Sequence, residues 1–433
     1  MSTNEITLDE QRVFSATRVP VSRYTAPEFA ARELERLWPR VWQIACTVDH
    51  VREPGDYFEY VVGPYSVIVV RGDDGELRAF QNVCRHRGNS LCQGAGAGLV
   101  ELRCPWHGWT WGLDGRLREV PSRRWFGSLR NDDYPLFDAN VGVWGPLVFV
   151  NLDLDAPPLL EYLEGVPGDS AWADLHEFRC AATTTTDVPC NWKVVADGFG
   201  ETYHVQGLHR EMLGSIDDLD TPQRLWDHHG VSYQRYGVGS PRLGELDDQA
   251  VWDSFVETQG GRMGAAYAQS CPAPPVPPGS TMRDVIAELI RADHAAKGAD
   301  LSRFSTDQVL RLSQYNLFPN ATVLVWADML NVLIGRPGPD PDHAQLVTFT
   351  MYRAPVHRSS APASRPLDVV LPEGASMGMV LDQDLSVLRT AQRGLHQPGL
   401  THLTVSSEEC RVLNLQRNLE RYLGIEPSEL QTI

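Results

Sequence analysis

Cys84-Arg85-His86-Arg87-Gly88 and Cys104-Pro105-Trp106-His107-Gly108-Trp109 are two mixed cysteine–histidine pairs, with seventeen residues between His86 and Cys104. Each pair sits in a turn marked by Gly or Pro between strand-like segments, so two fingers can converge on one metal centre. Two chemistries fit these four side chains. In one, Cys84 and Cys104 hold one iron of a [2Fe–2S] cluster and His86 and His107 hold the other, which raises the reduction potential above that of an all-cysteine cluster. In the other, the four residues form a structural Cys2His2 zinc site. Zinc-finger spacing keeps Cys with Cys and His with His, so the mixed pairs favour the iron–sulfur arrangement. Cys92, between the fingers, falls outside the pattern and reads as a packed thiol. Gly94-Ala95-Gly96-Ala97-Gly98 lacks the spacing and the strand–helix junction of a dinucleotide loop and reads as a plain loop.

Outward from the fingers the chain reads as strands. Tyr57 to Val62 and Ser66 to Val70 are β-like, with turns at Gly63-Pro64 and Gly72 to Gly75. Short strands continue to about Leu152, and Pro157-Pro158 marks a boundary. Upstream, Ala26 to Arg40 carries a helical period through Phe29, Leu34, Leu37 and Trp38. Downstream, Asn191 to His209 is helical for most of its length, a Pro-rich loop follows Pro272, and Met282 to Ala296 and Thr306 to Gln314 read as helices. Ala321 to Ile334 and Gln345 to Tyr352 flank Arg336 to Pro341 as a strand–loop–strand hairpin, and Met379 to Leu395 is a helix. The class is α+β. The segments are a helical 1–40, an all-β metal domain over 41–157 and a mixed domain over 158–433.

The 433 residues carry 56 acidic against 38 basic side chains, a formal charge of -18, which argues against nucleic-acid or anionic-membrane partners. Met1 to Glu10 is polar, with no apolar core for a signal peptide. Eight cysteines are too sparse for a disulfide framework, so a reducing cytoplasm is the expected compartment.

A second constellation runs from Asn191-Trp192-Lys193 through Asp197-Gly198-Phe199-Gly200-Glu201 to His204 and His209. Five residues turn a regular helix by roughly 500°, leaving the two imidazoles about 140° apart. For both to bind one metal the helix must loosen or end between them, and Gly207 allows that. On spacing alone, two unrelated histidines fit as well.

Together these stretches resemble the catalytic subunit of Rieske-type non-haem iron oxygenases of the aromatic-ring-hydroxylating kind. Arg85, Arg87-Gly88 and Trp106 match that family's cluster loops. Asn-Trp-Lys, an acidic residue three before Tyr203-His204, and a histidine five further on match its catalytic motif. The resemblance is strong over about 40–150 and 190–210 and looser over 380–395, where Leu381-Asp382-Gln383-Asp384 precedes Gln392-Arg393-Gly394-Leu395 by the family's spacing. It implies that His204, His209 and Asp384, with Asp382 as the alternative, hold Fe(II) in a two-histidine, one-carboxylate triad that leaves a face open for O2. It also implies that 158–433 is a helix-grip-like antiparallel sheet with helices, on which 1–40 packs. Two departures stand out. Many members carry Asp where Glu201 stands, and many read Glu-Asn-Phe where this chain has Asp197-Gly198-Phe199, so any role of that asparagine is missing.

The activity so implied draws electrons from a separate reductase, with or without a ferredoxin, through the cluster to the iron, and places oxygen from O2 into a small aromatic or other largely apolar substrate. Oxidative N- or O-demethylation uses the same ligands and is the alternative. A Rieske electron carrier without oxygenase activity and a zinc-stabilised helix-grip binding protein are the other classes. The working unit implied is a homotrimeric ring, alone or with a small β subunit, in which Glu201 joins His204 to His107 of the next copy.

Overall fold

The computed structural model describes residues 6–7, 15–355, 365–426 and 430–432. Most of the polar N-terminus, Met1 to Glu10, lies outside them. The chain divides into two compact units, 31–162 and 1–30 with 163–433. Among the described residues no helix is long and apolar enough to cross a membrane.

The smaller unit is built on a seven-stranded sheet in the order Gln43–Thr47, Leu147–Asn151, Asp138–Trp144, Leu77–Gln81, Tyr65–Arg71, Tyr57–Val62 and Ala95–Gly96. A three-stranded sheet, Leu102–Arg103, Thr110–Trp111 and Leu117–Glu119, carries the second finger. Ile68, Val70, Phe80, Trp109, Trp111 and Leu136 pack with Cys84 and Cys104 into one core, so burial of apolar strand faces fixes where the fingers emerge.

The larger unit is a ten-stranded sheet covered by helices. Its central strands, Gly230–Tyr236, Arg311–Leu317, Ala321–Val325, Met329–Pro337, Ala344–Arg353 and Phe178–Val188, pair antiparallel in that order. One pair departs from the all-antiparallel expectation: Leu367–Leu371 runs parallel to Phe178–Val188 at the sheet edge.

Met282–Ala296 and Met379–Leu395 form helices over the ranges read from the sequence. Three readings change. Thr306–Val309 is a single helical turn, and the chain then enters the strand Arg311–Leu317, because backbone pairing on both sides overrides the weak helical pattern. The run Ala321 to Ile334 is itself a hairpin, reversing at Trp326 to Asp328, so the hairpin expected across Arg336 to Pro341 is the second of two. The third change, between Asn191 and His209, shapes the iron site.

Candidate metal centres

The two fingers are the same turn built twice. The Cys84 carbonyl accepts from Gly88 N and Cys84 N donates to the Asn89 carbonyl; the Cys104 carbonyl accepts from Gly108 N and Cys104 N donates to the Trp109 carbonyl. Gly88 and Gly108 have φ of 79° and 73°, a region that favours glycine. The different sequence spacings, Cys-x-His and Cys-x-x-His, therefore share a glycine four residues after the cysteine. The His86 and His107 rings lie 4.7 Å apart, and His86 stacks on Trp109 at 5.2 Å.

The Nδ1 atoms of both histidines are buried and have no hydrogen-bond partner. Two orphaned imidazole nitrogens beside two buried neighbouring thiols are what a [2Fe–2S] cluster with two thiolate and two imidazole ligands requires, so the residues fit the group. Burial raises the Cys84 pKa and the adjacent Cys104 raises it further, so the thiolates need a bound cation. Cys92, outside the turns, is pushed by burial up to about 11, as suits a packed thiol.

The second centre begins at Asn191, whose side chain accepts from Lys193 N and caps the helix Trp192–Gly198. That helix stops at Phe199. The Phe199 carbonyl accepts from Gln314 Nε2 at 2.6 Å and Asn316 Nδ2 at 2.8 Å, so sheet amides hold the break open. A one-turn helix, Val205–Leu208, follows, with His204 as its N-cap and His209 as its C-cap. Gly207 sits inside this turn; the departure from helix comes at His209, with φ -105° and ψ 53°. Placing the two histidines at opposite ends of one turn resolves the unfavourable angle expected of a five-residue spacing.

Asp384 lies on Met379–Leu395, and Gln392 Oε1 of that helix accepts from Asn191 N at 3.0 Å, tying the two segments together. His204, His209 and Asp384 form a group of ligand atoms within 4.8 Å of one another. His209 Nε2 is 3.0 Å and His204 Nε2 3.8 Å from the same Asp384 oxygen. Both Nδ1 atoms are occupied elsewhere: His204 pairs with Glu201 Oε1 at 2.7 Å, and His209 with Gln383 Oε1 at 2.7 Å. Each ring therefore turns Nε2 towards the shared point, the arrangement by which metal-binding imidazoles are oriented. Burial opposes a proton on His209, yet the hydrogen bonds that Asp384 and Gln383 oxygens accept from it raise its pKa, the signature of a place that favours positive charge. The donor set fits Fe(II).

Asp382 lies apart from this group; it accepts from Ser376 Oγ and Met377 N at the start of its helix. Glu201 also accepts from His204 N at 2.9 Å. Gln383 was not singled out in the sequence, where adjacency to Asp384 is its only signal; its Nε2 donates to Glu211 Oε2 at 3.3 Å. A cavity of about 570 Å3 is lined by the triad and by Phe199, Tyr236, Trp326 and Phe349.

Residues 175–425 match the family model of the ring hydroxylating α subunit catalytic domain, and residues 41–130 match the Rieske [2Fe-2S] domain. The chain is 30% identical over 254 residues to biphenyl 2,3-dioxygenase subunit α of Rhodococcus jostii RHA1, covering 51% of this chain and 52% of that one. It is 34% identical over 205 residues to the chloroplastic choline monooxygenase of Beta vulgaris, covering 46% of each. The matches thus span about half the length of these relatives. A quaternary ammonium Rieske monooxygenase solved with L-carnitine shares the fold, at a TM-score of 0.66 and 18% identity over 94% of this chain and 95% of that one. With its family match over more than half of its length, a Rieske domain ahead of it and a two-histidine, one-carboxylate group in its larger unit, the chain belongs to the α subunits of the Rieske-type non-haem iron oxygenases.

Proposed function

We propose that this chain is the oxygenase component of a Rieske monooxygenase that oxidises a carbon bonded to the nitrogen of a quaternary ammonium compound, a reaction of the N-demethylating type. The observation that carries the reading is the cavity beside His204, His209 and Asp384, whose lining includes the aromatic side chains of Phe199, Tyr236, Trp326 and Phe349, residue types that bind cations. Similarity to proteins named for choline and carnitine favours this over the ring hydroxylation first expected; similarity to a biphenyl dioxygenase keeps the latter as the second reading.

In this reading Cys84, His86, Cys104 and His107 hold the cluster, and His204, His209 and Asp384 hold the iron. When bound, these groups supply single-electron relay and O2 activation. The protein does the rest: Glu201 and Gln383 orient the two imidazoles, and the aromatic wall holds the substrate cation with its α-carbon towards the open face. O2, two electrons and two protons convert one C–H to C–OH and release water; the hydroxylated ammonium then loses its hydroxyl proton as the C–N bond breaks with its electron pair going to nitrogen, giving a tertiary amine, an aldehyde and a proton. Electrons come from a separate reductase, with or without a ferredoxin, in a cytoplasmic setting that suits eight cysteines none of which is in a disulfide among the described residues.

The working unit in this proposal is a homotrimer in which Glu201, already on His204, also meets His107 of the next copy. Glu201→Gln should keep both metals and the trimer yet slow cluster reoxidation at least about tenfold, as loss of a buried charge-assisted bond would. An unchanged rate sinks the bridge, and a monomer in solution sinks the ring. For the reaction itself, reconstituted enzyme given quaternary ammonium or aromatic substrates should consume O2 and release aldehyde only with the former. A cis-diol from an aromatic substrate, without aldehyde from any ammonium compound, would restore the second reading.

A further inference from the structure

The break in the helix at Phe199 is held by more than its own backbone. In a continuing helix the Phe199 carbonyl would accept from the fourth residue on, Tyr203. Instead it faces the sheet, where Gln314 Nε2 donates to it at 2.6 Å, Asn316 Nδ2 at 2.8 Å and Thr322 Oγ1 at 3.4 Å. Asn316 and Thr322 stand opposite each other on paired strands, and Asn316 Nδ2 also donates to Thr322 Oγ1 at 2.9 Å. This carbonyl lies two residues before Glu201 and five before His204, so whatever fixes it fixes the approach to the iron site.

An asparagine side chain can turn either end towards a neighbour, and only its NH2 end can hold a carbonyl. Arg411 settles which end that is. It is 3% exposed on the helix Cys410–Leu423; its Nη1 donates to Asn316 Oδ1 and its Nε to Gln223 Oε1 at 2.9 Å. A guanidinium carries donors only, so Asn316 must present its oxygen to Arg411 and its Nδ2 to Phe199. Burial lowers the Arg411 pKa to about 10, and Nη2 is buried without a hydrogen bond. A buried cation hydrogen-bonded to neutral amides is a costly way to fill space. What the molecule gains from it is an amide that cannot turn.

We propose that Arg411 and Asn316 are positioning residues for the iron site: Arg411 fixes the Asn316 amide, the amide holds the Phe199 carbonyl out of the helix, and the segment carrying Glu201, His204 and His209 is thereby placed for iron. The inference is independent of what fills the cavity and rests only on the triad as the iron site. With the carbonyl released, the iron-free segment relaxes and Fe(II) must pull it back, so the cost appears as weaker binding.

Asn316→Asp separates this role from a merely structural one. The new side chain keeps the contact with Arg411, which holds it ionised, and gives that buried cation a charged partner. It has no N–H for Phe199. The iron-free, cluster-loaded variant should unfold in urea at the wild-type midpoint or above, with its cluster spectrum unchanged. Metal titration should nevertheless show Fe(II) bound about tenfold more weakly, the scale of one buried hydrogen bond. An added negative charge would by itself strengthen binding of a cation, so charge and positioning predict opposite signs. Arg411→Met, which frees the amide to turn, should weaken Fe(II) binding in the same direction, and Arg411→Lys, which keeps a cationic donor, should recover most of it. If Asn316→Asp does not fold, Gln314→Glu removes the other amide donor to the same carbonyl and is read in the same way. Wild-type Fe(II) binding that Asp384→Ala abolishes checks the triad separately. Fe(II) affinity at or above wild type in Asn316→Asp, or a loss matched by a fall in the urea midpoint, would overturn the positioning role.

Discussion

The two metal centres are assembled in opposite ways. Each cluster finger is local: Cys84 to Asn89 and Cys104 to Trp109 close their own backbone hydrogen bonds, and only the two turns need to meet. The iron site is long-range: it needs a helix broken at Phe199, a one-turn helix with a histidine at each end, and a carboxylate 175 residues after His209. Local turns declare their ligands through spacing, whereas a site made by packing declares them only in part. The orienting groups differ in the same sense. His204 takes its partner, Glu201, from three residues upstream, while His209 takes Gln383 from the far helix.

That contrast is breakable, most severely at the fingers. Cys104→Ser should abolish the visible absorption and the reduced-state EPR signal of the cluster and leave Fe(II) binding at the triad intact. Retention of both signals in purified protein would end the ligand assignment. At the iron site, Asp384→Ala should lower substrate oxidation by about 10³ or more, on the scale of losing a group needed only for the chemical step, with the cluster spectrum unchanged. Asp382→Ala, which removes only a helix-start contact, should stay within a few-fold of wild type.

A smaller effect sharpens the comparison of orienting groups. Gln383→Leu leaves the His209 Nδ1–H without its acceptor and should weaken Fe(II) binding about 10- to 100-fold, read by metal titration. Gln383→Glu restores an acceptor and should recover most of that affinity. Equal affinities in Gln383→Leu and wild type would mean that packing alone sets the ring.

The smallest effect concerns the segment that leads into the iron site. Burial pushes the Asp197 carboxyl from 3.8 up to about 7, against the hydrogen bond it accepts from Tyr24 at 2.6 Å, and its other oxygen is buried unpaired. A raised carboxyl pKa favours the folded state while the group is protonated. That contribution is complete below the unfolded value of 3.8 and is lost as pH climbs to about 7. Asp197→Asn should flatten this slope, gaining on the order of 1 kcal/mol on wild type by pH 8 in urea unfolding once the retained polar contact is discounted. Parallel stability–pH curves would show that Asp197 titrates normally.

Legibility followed the same division. Cys84, His86, Cys104 and His107 were readable as metal-ligand candidates because a turn that closes on itself fixes residue type at fixed offsets. His204 and His209 were readable only through resemblance, since nothing in their spacing told that the helix ends at His209 rather than loosening at Gly207. Asp384 was preferred over Asp382 in sequence only through the family's spacing to Gln392; the structure adds that Asp382 is occupied at the helix start. Gln383 and the Arg411–Asn316 contact depend on side chains brought together by packing, for which a single sequence carries no periodic signal. The helix expected over Thr306 to Gln314 failed for a related reason, because strand partners on both sides decide that segment.

The account's central claim is that the cluster serves the iron site, and rapid mixing tests it most directly. Pre-reduced wild-type enzyme mixed with O2 and substrate should reoxidise its cluster in a single fast phase, and Asp384→Ala, with its cluster intact, should lose that phase. The same fast reoxidation in Asp384→Ala and in wild type would contradict the claim, because electrons would then leave the cluster without passing through the group that His204, His209 and Asp384 hold.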